Sequence, residues 1–207
     1  MILKIDALHP DPQVIQNIVE RLREGQVGVL PTETVYGLAA LMRVPQAIAR
    51  IYQIKERDRR KSLGVAISEF GAVNKLAEDV SDAAQELMET FWPGPLTLVF
   101  MAREELPGYI TGGTGTIGIR MPDHEVTRAV LEGLREPLAL TSANMSGEKA
   151  AYTVDRLGLQ GMDFVVNAGE TDLRRESTVV DVTQSPPQVL RKGVIDADRL
   201  MQFGVMV

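Results

Sequence analysis

The chain has 207 residues, 44% of them apolar, and a formal net charge of −6 from 28 acidic and 22 basic side chains. That is enough for one large or two small α/β domains with a sizeable core, and the acidic balance excludes a nucleic-acid coat over the whole surface. It holds no cysteine and only His9 and His124, which excludes a disulfide framework, a cysteine zinc site, a thiol nucleophile and a histidine-rich metal site. The opening Met-Ile-Leu-Lys-Ile-Asp has no signal-peptide pattern, and Met1 to Ile5 reads as a first strand. No apolar run reaches about 18 residues, so no membrane span is expected and the reading is a cytoplasmic protein. Asp11 before Pro12 is a cap and first-turn pair. Val14, Ile15, Ile18, Val19 and Leu22 follow at helical spacing, and Gly25 ends that helix. Val27 to Leu30 reads as a buried strand stopped by Pro31. A second helix carries Ile48, Ile51, Tyr52 and Ile54 up to Lys55, and a strand is expected over 63–67. A third helix begins near Ser81. Leu96 to Met101 and Thr116 to Arg120 read as strands, His124 to Leu131 as a helix and Leu138 to Leu140 as a short strand. Late strands are expected at 164–166, 178–182 and 188–190. Alternating strands and helices, then clustered strands, predict one domain over 1–207, α/β in class, a mixed sheet with helices on its faces.

Positive charge is concentrated in one place. The seven residues from Lys55 to Lys61 carry five bases, between a helix and an apolar strand. Guanidinium groups bind phosphate in a bidentate way and lysine adds a point charge, so the run is either an anion site or a solvated turn. Pro31-Thr-Glu-Thr-Val-Tyr-Gly-Leu38 follows a strand, where an open α/β sheet presents its ligand crevice. Its hydroxyls and carboxylate offer donors and acceptors, or they stabilise a turn. Thr141-Ser-Ala-Asn-Met-Ser-Gly147 also follows a strand, as an exposed loop that lets backbone approach a phosphate or sugar, or as a plain cap. Ser142 has no Gly-x-Ser-x-Gly elbow around it, which counts against a nucleophile. The run Thr111 to Thr116 is neither a Walker sequence nor a dinucleotide fingerprint; it is an anion cradle or a mobile hairpin, and the loop is favoured. Trp92-Pro-Gly-Pro95 reads as a structural turn.

These segments occur together and in order: Pro31 to Leu38, Lys55-x-Arg57, Trp92-Pro-Gly-Pro-Leu-Thr97, Gly118-Ile-Arg-Met-Pro122, Ser142-Ala-Asn144 with Ser146-Gly147, Ser177-Thr-Val-Val-Asp181 and Leu190-Arg-Lys-Gly193. The set resembles the YrdC-like family of threonylcarbamoyl-AMP synthases in its short form, over about residues 8–200. The Lys-x-Arg and Ser-x-Asn pairs separate it from the sister YciO-like branch.

The resemblance implies an open, twisted sheet of parallel and antiparallel strands with flanking helices and a basic concave face. It implies a nucleotidyltransferase that makes threonylcarbamoyl-adenylate and pyrophosphate from L-threonine, bicarbonate or CO2, and ATP as substrate, with Mg2+ assisting. The product serves a downstream transferase that modifies adenosine 37 of tRNA. Carried over position by position, Lys55 and Arg57 hold the triphosphate as the catalytic pair. Lys61, Ser142, Asn144 and Arg191 complete the nucleotide contacts, and no residue is expected to ligate a resident metal. Thr34, Arg120 and Ser177 hold threonine, with Arg120 on its carboxylate. Asp58 stands where the family often has proline, and Ala66 where longer members have a threonine-binding histidine. The alternative is a tRNA- or double-stranded-RNA-binding protein that uses Lys55, Arg57, Arg59, Arg60 and Lys61 on phosphates without catalysis. Positioning and charge neutralisation carry much of phosphoryl-type chemistry, which suits a chain with no evident nucleophile.

Overall fold

The Asp11 carboxylate accepts the Gln13 amide at 2.8 Å and Pro12 sits in the first turn, so the first helix begins where the cap signal puts it. A computed structural model describes residues 1–207. In chain order the elements are β1 (Ile2–Lys4), α1 (Pro12–Arg23), β2 (Gly28–Leu30), β3 (Gly37–Leu41), α2 (Pro45–Ile54), β4 (Gly64–Ala66), a 3₁₀ segment at Phe70–Lys75 and α3 (Asp82–Phe91). Then come β5 (Leu96–Met101), α4 (Gly108–Thr111), β6 (Thr116–Arg120), α5 (Glu125–Leu134), β7 (Leu138–Ser142) and a 3₁₀ turn at Val154–Arg156. The chain closes with β8 (Phe164–Asn167), β9 (Thr178–Asp181), β10 (Gln188–Arg191) and α6 (Ala197–Met201).

All ten strands form one sheet in the order β1-β8-β2-β3-β7-β4-β6-β5-β9-β10. β8 runs parallel to both β1 and β2; β4 with β6 and β5 with β9 are also parallel. The other neighbours are antiparallel, so the mixed sheet expected from the sequence is present. Strand β3 was outside the sequence reading, because Leu-Ala-Ala-Leu lacks the β-branched and aromatic residues that mark strands. It forms because all five of its residues are buried between two neighbours. α5 starts one residue later than expected and runs on to Leu134, and β7 continues to Ser142.

The pleat sends alternate residues to opposite faces. Leu38 and Ala40 of β3 join the core built with α2 and α3, whereas Ala39 and Leu41 join the one built with α1 and α5. In β6, Ile117 and Ile119 enter the α2/α3 core and leave Gly118 and Arg120 on the other face. In β5, Leu96, Leu98 and Phe100 do the same and leave Thr97 and Val99. α1 and α5 pack over the β8, β2, β3 and β7 part of their face, through residues such as Phe164, Ala39 and Leu138. Beyond them the sheet face is a hollow, and that hollow is the site.

Candidate active site

The hollow is a cavity of about 250 Å³, far more than the roughly 30 Å³ share of one water. Its floor is the sheet from β3 to β10, and Gly37, Gly64 and Gly118 keep it low by contributing no side chain. A Cβ on Gly64 would lie 2.8 Å from the Leu140 carbonyl oxygen, so the backbones approach closely there. The wall carries three arginines, Arg57, Arg120 and Arg191, against one carboxylate, Glu176, with the hydroxyls of Thr32, Thr97, Thr141, Ser142 and Ser177 between them. Such a surface favours an anion with oxygens to spare.

The basic run that looked like one cluster is divided by burial. Lys55, the cap residue at the end of α2, is 1% exposed. Glu56 turns the chain with a left-handed φ of 48°, and Arg57 comes out on the cavity wall. Arg57 donates from Nη2 to the Ser62 carbonyl at 2.9 Å and its buried Nε has no partner. Arg59, Arg60 and Lys61 are exposed, and Arg60 is paired with Asp58 at 2.7 Å. Lys61 is off the wall, which its neighbour Ser62 lines.

The Lys55 ammonium donates to the Ser142 carbonyl, to the Asn144 carbonyl at 2.7 Å and to Asn144 Oδ1 at 3.0 Å. Burial, and then the Arg57 charge, push it down to about 8. Ser142 Oγ donates to Asn144 Oδ1 at 2.6 Å, and Asn144 Nδ2 donates to the Glu148 carbonyl at 2.6 Å. The Ser-x-Asn segment is therefore not the exposed loop expected from the sequence. Ser142 lines the cavity, while Asn144 is 8% exposed and lies beneath it with Lys55.

On the far side, Arg191 donates to the Ser177 carbonyl from Nε and Nη2, at 3.2 and 3.0 Å, and from Nη2 to Ser177 Oγ at 3.1 Å. It also pairs with Glu176 at 3.2 Å. Thr97 and Ser177 share a hydrogen bond of 2.9 Å. Arg120 donates from Nε to the Gly94 carbonyl at 3.1 Å, which gives the Trp92-Pro-Gly-Pro turn its place beside the site. Trp92 itself is buried and donates to the Leu96 carbonyl at 2.7 Å, as a structural residue. Thr34 is fully buried and shares a 2.8 Å hydrogen bond with Thr32; Thr32, not Thr34, reaches the wall.

The structure thus gathers Arg57, Arg120, Ser142, Ser177 and Arg191 on one cavity, with Lys55, Asn144 and Thr34 behind it and Lys61 outside. Sequence reasoning missed Thr97 and Glu176 as wall residues, although each stands in or beside a quoted motif, and of the two threonines in Pro31 to Leu38 it assigned Thr34 rather than Thr32 to the substrate. The glycine-rich run packs elsewhere: a Cβ on Gly112 would lie 2.7 Å from the Arg60 carbonyl.

Comparison with known proteins places the chain in a family. Residues 20–193 match the Sua5–YciO–YrdC family model, described as "Telomere recombination". A threonylcarbamoyl-AMP synthase of Pyrococcus abyssi is 38% identical over 182 residues, which are 86% of this chain and 54% of the relative. The chain thus spans about half of that relative's length. The structure of P. abyssi Sua5 complexed with L-threonine superposes with a TM-score of 0.92 at 34% identity, covering 98% of this chain and 60% of that one. Escherichia coli YciO superposes with a TM-score of 0.87 at 27% identity, covering 97% and 98%. The family-model match over residues 20–193, together with sequence identity and superposition along most of the chain, makes this protein a member of the Sua5–YciO–YrdC family.

Proposed function

We propose that this protein is a threonylcarbamoyl-AMP synthase, using L-threonine, bicarbonate or CO2, and ATP. The observation that carries the reading is the convergence of Arg57, Arg120 and Arg191 with Ser142 and Ser177 on one cavity. A synthase must hold a triphosphate and an amino-acid carboxylate side by side, and two groups of guanidinium donors supply that. In this reading Arg57 and Arg191 hold phosphate oxygens, and Lys55 and Asn144 shape the segment that presents Ser142 to the nucleotide. Arg120 takes the threonine carboxylate, with Ser177 and Thr32 on the substrate's polar groups; Thr34 acts through Thr32, and Lys61 lends charge from outside. The threonine amine adds to CO2 and loses a proton to solvent, which gives a carbamate. The carbamate oxygen then attacks the α-phosphorus as the bond to the β-phosphate oxygen breaks and pyrophosphate leaves. Guanidinium groups fixed before reaction stabilise the charge moving onto pyrophosphate.

Mg2+ fits as a companion of the nucleotide. It binds through phosphates, waters and one or two carboxylates, and the wall offers Glu176 near the phosphate-binding arginines. The adenylate is unstable cargo for a transferase that acts on adenosine 37 of tRNA. Direct tRNA binding would use Arg59 and Lys61, the exposed cations of the basic run that have no ion pair. No helix is long and apolar enough to cross a membrane.

The test is mass spectrometry of the reaction mixture after incubation with ATP, L-threonine and carbon-13 bicarbonate. An adenylate carrying both threonine and the labelled carbon supports the reading; an unlabelled threonyl-adenylate sinks it.

A further inference from the structure

Five buried side-chain atoms lack a hydrogen-bond partner, and four of them belong to Glu33, Arg120 and His124; the fifth is Arg57 Nε. Buried polar atoms are normally satisfied, so such a concentration points to something the free protein leaves undone. Glu33 is 6% exposed and is not on the cavity wall. Its backbone carbonyl accepts the Leu173 amide at 2.9 Å, which pins the residue under the long connection from β8 to β9. Its Oε2 lies 2.7 Å from Arg120 Nη2, with side-chain exposures of 7% and 12%. The contact is an ion pair without hydrogen-bond alignment, since neither atom completes such a bond. His124 stands close enough to feel the Glu33 charge.

Arg120 is therefore held from two sides. Nε is spent on Gly94, Nη2 is drawn to Glu33, and the remaining N–H groups of its rigid fork are unspent. We propose that Glu33 is a positioning residue: it orients the Arg120 guanidinium so that its free donors meet an α-carboxylate in the cavity. The inference rests on the reading above, in which Arg120 takes that carboxylate. Two effects of removing Glu33 oppose each other. Loss of the countercharge strengthens the pull of Arg120 on any anion, and loss of the anchor lets the guanidinium leave the productive orientation. Because the pair is buried and bonding to a carboxylate depends on direction, orientation wins.

The experiment measures affinity for L-threonine and for L-threonine amide, which lacks the carboxylate, in the wild type, Glu33→Gln and Arg120→Ala, each with ATP affinity as a second readout. Glu33→Gln should weaken L-threonine by about tenfold, the size of a charge-assisted hydrogen bond, with the amide and ATP unmoved. In the Arg120→Ala background it should add nothing. Unchanged or tighter threonine binding in Glu33→Gln overturns the inference alone. A wild type that fails to prefer threonine over its amide overturns the reading of Arg120, and the inference with it. If Glu33→Gln does not fold, Glu33→Asp decides: it keeps the charge, withdraws it by one methylene and should show the same selective loss in smaller measure, whereas wild-type affinity overturns the inference.

Discussion

The Lys55 ammonium donates to the Asn144 carbonyl at 2.7 Å and to Asn144 Oδ1 at 3.0 Å, tying the end of α2 to the segment after β7. The two signature pairs of the sequence, Lys-x-Arg and Ser-x-Asn, thus meet through their buried members and leave Arg57 and Ser142 on the cavity wall. Asn144→Ala removes an acceptor from Lys55 and Ser142 and orphans the Glu148 carbonyl. It should cost about 1–3 kcal/mol, the penalty for leaving buried groups such as the Lys55 ammonium short of an acceptor, while Ser142→Ala, which deletes one hydrogen bond at the cavity wall, costs less, about 0.5–1.5 kcal/mol. Urea denaturation of both variants checks this; an Asn144→Ala cost no greater than that of Ser142→Ala would mean that the buried acceptor adds no stability.

The same ammonium predicts a pH dependence. Its folded value of about 8 lies below the ordinary 10.5, so between these values the unfolded chain holds more protons than the folded one. Stability then rises with pH across that window, and below about pH 8 both states are charged and the burial cost is felt in full. Wild type should accordingly gain on Lys55→Met between about pH 8 and about pH 10 in paired urea melts. A difference that stays flat would show that the ammonium is not desolvated.

Arg57→Ala should reduce turnover at limiting ATP far more than Arg60→Ala. Arg57 lines the cavity, whereas Arg60 is exposed and already paired with Asp58. Loss of one charge-assisted phosphate contact costs about 1.5–3 kcal/mol, roughly ten- to a hundredfold in kcat/KM. Comparable losses in both variants would describe a diffuse basic patch and favour the RNA-binding alternative.

Gly193→Ala tests how the end of β10 shapes the substrate side. A Cβ there would lie 2.3 Å from the Ser177 carbonyl carbon and the Thr178 nitrogen, which are backbone and yield only by moving. The displacement should pull Ser177 from Thr97 and Arg191, raise the KM for L-threonine and cost about 1–3 kcal/mol of stability. Gly108→Ala, which meets open space, serves as the control. Wild-type kinetics in Gly193→Ala would separate Ser177 from threonine binding.

Much of the fold was legible where pattern and propensity agree. Leu96–Met101 and Thr116–Arg120 alternate core and cavity residues and have the bounds expected of them. What stayed hidden depends on contacts distant in sequence. Nothing around Lys55 says that it turns inward while Arg57 faces the cavity, since that follows from the segment after β7 closing over it. Glu33 read as one polar group in a turn, because its partner Arg120 arrives from another strand. Leu140, read as part of a buried strand, is half-exposed on the cavity wall, whereas Leu138 two residues earlier is fully buried under α1 and α5.

The most direct measurement is pyrophosphate release from ATP in the presence of Mg2+, with L-threonine and bicarbonate supplied singly and together. In the proposed reading the cavity holds a triphosphate beside an amino-acid carboxylate, and the carboxylate on its wall, Glu176, is paired with Arg191. Release should therefore require both co-substrates, and omission of either should bring it to background. Release at the same rate from ATP alone would make the protein a pyrophosphohydrolase and contradict the account.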